Sequence, residues 1–124
     1  MRLFKTRYFA RWSRKVNLTD KQLAKAVEEI EDGLIDANLG GNILKKRVAV
    51  PSKGKSGGFR TLLAFKGSDR SVFLYGFEKS DRSNISKREL EALKELAKIY
   101  IRMSDLEISI ALKEGELTEV KYHG

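Results

Sequence analysis

Cysteine is absent from this chain of 124 residues, and histidine occurs once, as His123 beside the last residue. The absence of cysteine excludes disulfide bonds and thiolate metal sites, so the protein needs no oxidising compartment. A histidine at a sparsely packed chain end is a poor candidate for a catalytic base. Because no Cys/His cluster or carboxylate pair accompanies the basic residues, we expect neither a metal nor a cofactor.

Long apolar runs are also missing. Cations interrupt the stretch 1–15 throughout, which is typical of neither a secretory signal nor a membrane span. The composition, 41% hydrophobic and 34% charged, is that of a soluble globular protein, and 124 residues suit a single domain over 1–124. We therefore expect a cytoplasmic protein.

Negative charge is in deficit. The chain has 25 lysines and arginines against 17 acids, a net charge of +8. Such an excess favours anionic partners through long-range attraction and counterion release. Eight of the cations lie between Lys45 and Arg70, where Asp69 is the single acid. This cluster indicates a nucleic-acid partner, and a solvated basic face is the alternative.

The first third of the chain is predicted to form a strand at 2–5 and two helices. The first helix has an apolar stripe expected to lie in the core, consisting of Tyr8, Phe9, Trp12 and Val16, and a basic face consisting of Arg7, Arg11, Arg14 and Lys15. Thr19 predicts the N-cap of the second helix and Gly33 its end. The acids near that end, including Glu29, are expected to be solvated or to face a cation of another element.

The rest of the chain predicts a β-meander followed by two helices. A turn-rich connector at 36–42 precedes β-prone runs at 43–50, 59–66 and 71–77, and the third is apolar on both faces, as in a central strand with helices on one side. Asn84 or Ser86 predicts the N-cap of the longest helix, Ser104 begins a shorter helix through Lys113, and an edge strand is expected at 117–120. We expect an α+β fold: a small antiparallel sheet, the meander plus the N-terminal strand, packed by N-terminal and C-terminal helices.

The loop after Pro51 has the sequence SKGKSGG at 52–58, between two strand ends. Glycines let backbone N–H groups approach an anion, and strand-borne cations bind phosphodiesters. RNA carries its own nucleophile, so a cleaving enzyme need only take the 2′-hydroxyl proton, stabilise charge on phosphorus and assist the leaving 5′-oxygen. Repulsion among crowded cations favours a neutral lysine, which makes Lys53 or Lys55 a workable general base. The planar fork of Arg60 suits the phosphate charge.

Five motifs lie between residues 46 and 90: KRVA at 46–49, GKSGGFRT at 54–61, YGFEK at 75–79, NI at 84–85 and EL at 89–90. With the order of elements, they resemble the RelE/ParE toxin superfamily of bacterial toxin–antitoxin systems, most closely its HigB-like and phage-associated RelE branch. The resemblance implies a RelE-like fold and a toxin that cleaves messenger RNA in the ribosomal A site without metal. It also implies a cognate antitoxin, typically a helix-turn-helix protein in that branch.

The resemblance suggests roles for individual residues. Arg60 matches the family's strand arginine after the glycine pair, and Lys79 occupies the basic position at the end of the third strand. Some RelE proteins have a tyrosine shortly after that strand, but 80–85 contains none, so the general acid is unassigned. Lys79, Asp81 or Arg82 could assist the leaving group. Tyr75 or Phe77 could stack on a base or belong to the core.

Two other functions stay open: a ParE-like toxin that inhibits DNA gyrase by protein contact, and a non-catalytic nucleic-acid-binding module. The cations clustered on the two β-prone runs and the loop at 45–70 favour the endoribonuclease, because a gyrase-binding surface needs no phosphate chemistry. The expected catalytic residues are Lys53, Lys55, Arg60 and Lys79, and the expected RNA-binding residues are Lys45, Lys46, Arg47, Tyr75, Phe77 and Arg82. The expected partners are the antitoxin, the ribosome and messenger RNA, with no membrane and no small-molecule cofactor.

Overall fold

In a computed structural model of the protein, which describes residues 1–49, 58–82 and 84–121, six strands form one sheet and four helices flank it. The strands are β1 (Arg2–Thr6), β2 (Ala37–Gly40), β3 (Ile43–Val48), β4 (Phe59–Lys66), β5 (Arg70–Glu78) and β6 (Leu117–Glu119). The helices are α1 (Arg7–Lys15), α2 (Asp20–Glu31), α3 (Lys87–Arg102) and α4 (Asp105–Lys113). The predicted α+β class is confirmed. Within the described ranges, no helix has the length and apolar character needed to cross a bilayer.

The sheet has the strand order β2-β3-β4-β5-β1-β6. The meander β3–β4–β5 is antiparallel as predicted, and β6 is the expected edge strand, antiparallel to β1. However, β1 runs parallel to β5, so the sheet is mixed and not wholly antiparallel. A parallel neighbour requires a long crossover, and here everything from α1 to β4 lies between the two strands.

Strand β2 lies within the segment expected to be a turn-rich connector. Its hairpin with β3 is irregular, and the backbone at the turn has positive φ angles of 80°, 57° and 65° at Gly40, Gly41 and Asn42. Glycine and asparagine are the residues that tolerate this conformation. The same residues that predict a turn therefore build a short bulged hairpin, which adds an edge strand to the meander.

Helices cover both faces of the sheet, whereas the sequence suggested helices on one side of the central strand. On one face, α1 and α2 pack on a core that includes Phe9, Leu23, Leu63 and Phe73. On the other, α3 and α4 pack on a core that includes Phe4, Leu62, Ala97 and Ile108. Strand β5 is apolar on both faces because it lies between β4 and β1 and contributes to both cores.

The predicted helix starts are confirmed at Thr19 and Ser104, and Ser86, not Asn84, is the N-cap of α3. Each cap accepts a hydrogen bond from the backbone N–H three residues on, whose Gln or Glu side chain in turn accepts from the cap N–H. Gly33 follows the end of α2 with a φ of 88°, as expected of a glycine stop. These local signals explain why the helix boundaries follow from sequence.

Gly76 allows α1 to approach β5 closely. A Cβ atom at this position would lie 2.2 Å from Cζ3 of Trp12, well inside van der Waals contact. The Trp12 ring also packs edge-on against Phe59, with centroids 5.3 Å apart. The contact joins the first helix to the strand whose opposite face carries Tyr75 and Phe77.

We expect Gly76→Ala to lower the free energy of unfolding by about 1–3 kcal/mol, because the added methyl group overpacks a rigid indole. Urea unfolding measures the change. Combining it with Trp12→Leu should make the two effects less than additive, since the smaller side chain leaves room for the methyl group. Full additivity would show that Trp12 is not what restricts this position.

Candidate nucleic-acid interface

The register of the meander brings two arginines and a phenylalanine into one row. Arg47 pairs with Arg60 across β3 and β4, and Arg60 pairs with Phe77 across β4 and β5. Paired residues of neighbouring antiparallel strands project to the same face. An anion bound at this row would be attracted by both guanidinium groups.

A second row lies two residues along on the same face. Lys45 pairs with Leu62, and Leu62 pairs with Tyr75. Because side chains alternate with a period of two, both rows face the side covered by α3. The structure therefore brings together five of the predicted site residues, namely Lys45, Arg47, Arg60, Tyr75 and Phe77.

Arg60 places a buried hydrogen-bond donor in this row. Its side chain is half-buried, and its Nη1 atom is buried with no hydrogen-bond acceptor among the described residues. An unsatisfied buried N–H is unfavourable, and more so on a charged group. A phosphate oxygen is the kind of acceptor that a guanidinium binds most strongly.

Arg82 closes the row on the α3 side. Its guanidinium lies 5.7 Å from the centroid of Phe77 and donates to both carboxylate oxygens of Glu89, at 2.6 and 2.9 Å. Its Nη1 also donates to the hydroxyl of Tyr75 at 3.4 Å. The hydrogen bonds to Glu89 raise the pKa of Arg82 above its already high ordinary value, so Arg82 contributes charge and cannot act as the proton donor at neutral pH.

The carboxylate of Glu89 is stabilised in turn. The hydrogen bonds from Arg82, followed by those from the backbone and side chain of Ser86, lower the pKa of Glu89 from 4.5 to about 2. One carboxylate thus caps α3 and holds Arg82 next to Phe77. The ion pair between Arg82 and Glu89 joins the residues after β5 to the first turn of α3.

Lys46 lies on the opposite face, which corrects its assignment as an RNA-binding residue. Only 7% of its surface is exposed, and its Nζ lies 3.0 Å from Glu29 Oε1 and donates to the carbonyl of Leu34 at 2.9 Å. Lys46 lies between Lys45 and Arg47 on β3, and successive side chains of a strand point to opposite faces. Lys46 therefore points towards α2. This contact also confirms that Glu29 faces a cation of another element.

The two aromatic candidates differ in access. Phe77 is only 4% exposed, so it belongs to the core and supports Arg82, which argues against its predicted role in stacking on RNA. Tyr75 is half-buried and stacks on Tyr8, with ring centroids 5.7 Å apart and planes inclined by 12°. Tyr8 was assigned to the apolar stripe of α1, but it is 58% exposed. Its helical spacing to Arg11 and Lys15 was the signal that it belongs to the basic face.

The comparison with protein families decides between the superfamily and an unrelated basic domain. A family model described as the RelE toxin of the RelE / RelB toxin–antitoxin system matches residues 1–120. The chain belongs to the RelE toxin family. It is therefore a toxin of a toxin–antitoxin system and has an antitoxin as partner. No curated protein matches the chain significantly. The superfamily resemblance is confirmed, while the HigB-like branch stays a prediction.

Other predicted site residues of this RelE-family toxin lie around the two rows or beyond the described ranges. Lys79 and Asp81 are exposed immediately after β5. Lys53, Lys55 and His123 lie outside the described residues, so their roles stay predictions. In the part of the chain that the structure describes, no group of three or more His, Asp or Glu residues is placed to hold a metal ion.

We expect Lys46→Ala to destabilise the toxin by about 1–3 kcal/mol, because it removes a buried hydrogen-bonded cation and leaves Glu29 and Leu34 without their donor. Lys45→Ala is the matched control, since Lys45 is the neighbouring lysine on the same strand and faces the candidate interface. Urea unfolding of both variants measures the difference. Equal stabilities would show that Lys46 does not support the fold.

The stabilisation from Glu89 should depend on pH. Because folding lowers its pKa from 4.5 to about 2, the contribution is complete above pH 4.5 and disappears as the pH falls towards 2. We expect wild type to lose more stability than Glu89→Gln over this window, measured by urea unfolding at several pH values. Glu91→Gln on the same helix is the control. A Glu89→Gln variant with the wild-type acid dependence would contradict the assignment.

Proposed function

We propose that this RelE-family toxin is an endoribonuclease that cleaves messenger RNA on the ribosome in the cytoplasm and so inhibits translation. The observation that supports this most strongly is the row in which Arg47 and Arg60 are directly opposed and the buried Nη1 of Arg60 has no acceptor among the residues that the structure describes. A phosphodiester supplies an oxygen acceptor for that donor and places its negative charge beside two guanidinium groups. A toxin directed at gyrase through protein contact would not require that arrangement.

The chemistry uses a nucleophile that RNA itself provides. The 2′-oxygen attacks the adjacent phosphorus as its proton passes to a general base, and the bond from phosphorus to the 5′-oxygen breaks as that oxygen takes up a proton. The products are a 2′,3′-cyclic phosphate and a 5′-hydroxyl. Negative charge grows on the pentacoordinate phosphorus, and arginine side chains in a half-buried site stabilise it without a metal.

The residues divide into four roles. Arg60 stabilises the phosphate charge, assisted by the fixed charge of Arg82. Lys53 or Lys55 is the general base expected from sequence, and the exposed Lys79 is available to assist the leaving 5′-oxygen. Lys45 and Arg47 bind the RNA backbone.

The cognate antitoxin is expected to be a helix-turn-helix protein, by resemblance to the HigB-like branch. With a net charge of +8, the toxin attracts an acidic partner, and this attraction speeds their association. Covering the row that contains Arg60, or holding it away from the ribosome, would neutralise the toxin.

We expect Arg60→Ala to lower the cleavage rate on saturated ribosomes by roughly a hundredfold or more with little loss of ribosome affinity, the pattern of lost transition-state stabilisation. Single-turnover cleavage of mRNA on programmed ribosomes, with the toxin preincubated in chelator, measures the rate. Lys66→Ala is the matched control, because Lys66 is an exposed cation at the other end of β4. Lys45→Ala should instead weaken binding and reduce its salt dependence.

An Arg60→Ala protein that cleaves at the wild-type rate once saturated would show that Arg60 only binds RNA. Folded wild-type toxin that leaves ribosome-bound mRNA intact, yet still arrests cell growth, would favour the gyrase-directed alternative. Binding to RNA without either effect would favour a non-catalytic module.

A further inference from the structure

Tyr8 forms a surface feature that the proposed cleavage chemistry does not use. It stacks on Tyr75, the aromatic residue of the second row, yet 58% of its own surface stays exposed. Aromatic rings are usually buried to a larger extent, and an exposed ring beside a cationic surface is the arrangement that proteins use to stack on unpaired bases.

The position of Tyr8 follows from the sheet topology. Strand β1 pairs with β5 only as far as Phe73, and α1 begins at Arg7, so the first turn of α1 lies beside the later half of β5. The turn is held firmly, because Thr6 Oγ1 accepts from the N–H of Phe9 at 3.1 Å. The guanidinium of Arg7 also donates to the carbonyls of Gly115 and Glu114, each at 3.1 Å. A fixed ring loses little conformational freedom on binding.

A cleft of about 380 Å³ opens beside the two tyrosines. Its lining includes the apolar side chains of Leu74, Leu93 and Leu96, and also a polar pair in which the hydroxyl of Tyr100 lies 3.4 Å from Glu116 Oε1. A volume of this size falls in the range of pockets that hold small molecules, roughly 300–1,000 Å³. A flat apolar ring with polar edges, such as a nucleobase, matches this lining.

The exposed face of α1 continues from Tyr8 with positive charge. Arg11 and Lys15 follow Tyr8 at helical spacings of three and seven, so the three side chains share one face, and all are exposed. Proteins that bind single-stranded nucleic acids combine two elements: cations along the phosphate backbone and aromatic rings that stack on the bases. Tyr75 connects this face to the row of Arg47 and Arg60.

We propose that the cleft at Tyr8 and Tyr75 binds an unpaired nucleobase of the RNA next to the scissile phosphate, with Arg11 and Lys15 holding the adjoining backbone. The inference rests on the proposed function, because the scissile phosphate defines which nucleotide reaches the cleft. Stacking on a tyrosine face accepts any base, so the cleft adds affinity and positions the strand without selecting one codon.

The test compares Tyr8→Ala, which removes the ring, with Tyr8→Phe, which keeps it. Ile99→Ala on α3 is the matched control, since Ile99 is 55% exposed and does not line the cleft. The probe is a ribosome programmed with mRNA that carries 2′-O-methyl groups in the A-site codon, to block cleavage, and 2-aminopurine at the nucleotide next to the scissile phosphate. Toxin binding gives the Kd, and stacking quenches the 2-aminopurine fluorescence.

We expect Tyr8→Ala to raise the Kd by roughly tenfold or more and to abolish the quenching, whereas Tyr8→Phe and Ile99→Ala behave as wild type.

Unchanged Kd and quenching in Tyr8→Ala, with an active wild type, would overturn the inference and leave the proposed function intact. Wild-type toxin that does not cleave but shows quenching dependent on Tyr8 would support the base-binding cleft and overturn the proposed function. A Tyr8→Ala toxin with normal RNA binding that escapes its antitoxin would show that the cleft binds protein, which also overturns the inference.

Discussion

Cross-strand pairing of Arg60 with Arg47 on one side and with Phe77 on the other is the constraint on which the candidate interface depends. A shift of one residue in either register would turn these side chains to the opposite face. Two contacts on the opposite face hold the two arginines in this register: Lys46 is bound to Glu29, and Gly76 lies against Trp12. The packing of α1 and α2 on one face therefore fixes the charges on the other.

Much of the fold could be predicted because its signals are local. Capping residues such as Thr19 and Ser104 sit where the helices begin, and the meander follows from three β-prone runs with short links. The parallel pairing of β1 with β5 could not be predicted, since no local pattern encodes which strand becomes the neighbour of the first. The additional strand β2 was missed because a bulged hairpin and a plain connector use the same glycines and asparagines.

The candidate site was predictable in composition but not in orientation. Period-two alternation places Lys46 on one face of β3 and Lys45 and Arg47 on the other. Which of these two faces packs against α2 depends on tertiary packing. Tyr8 was misassigned because its spacing to Trp12 fits an apolar stripe equally well, and only the end of β1 turns it towards Tyr75. The two hydrogen bonds from Arg82 to Glu89 join the turn after β5 to the first turn of α3, and sequence spacing alone does not reveal them.

Cleavage by the 2′-hydroxyl of the RNA itself is tested most directly by the chemical ends of the products. Messenger RNA cut on purified ribosomes by the wild-type toxin should end in 2′,3′-cyclic phosphate upstream of the cut and in 5′-hydroxyl downstream. These ends require only a base, an acid and charge stabilisation at phosphorus, the roles assigned to the cations around Arg60. Fragments that end in 3′-hydroxyl and 5′-phosphate would mean that water attacks the phosphorus, and would contradict the mechanism.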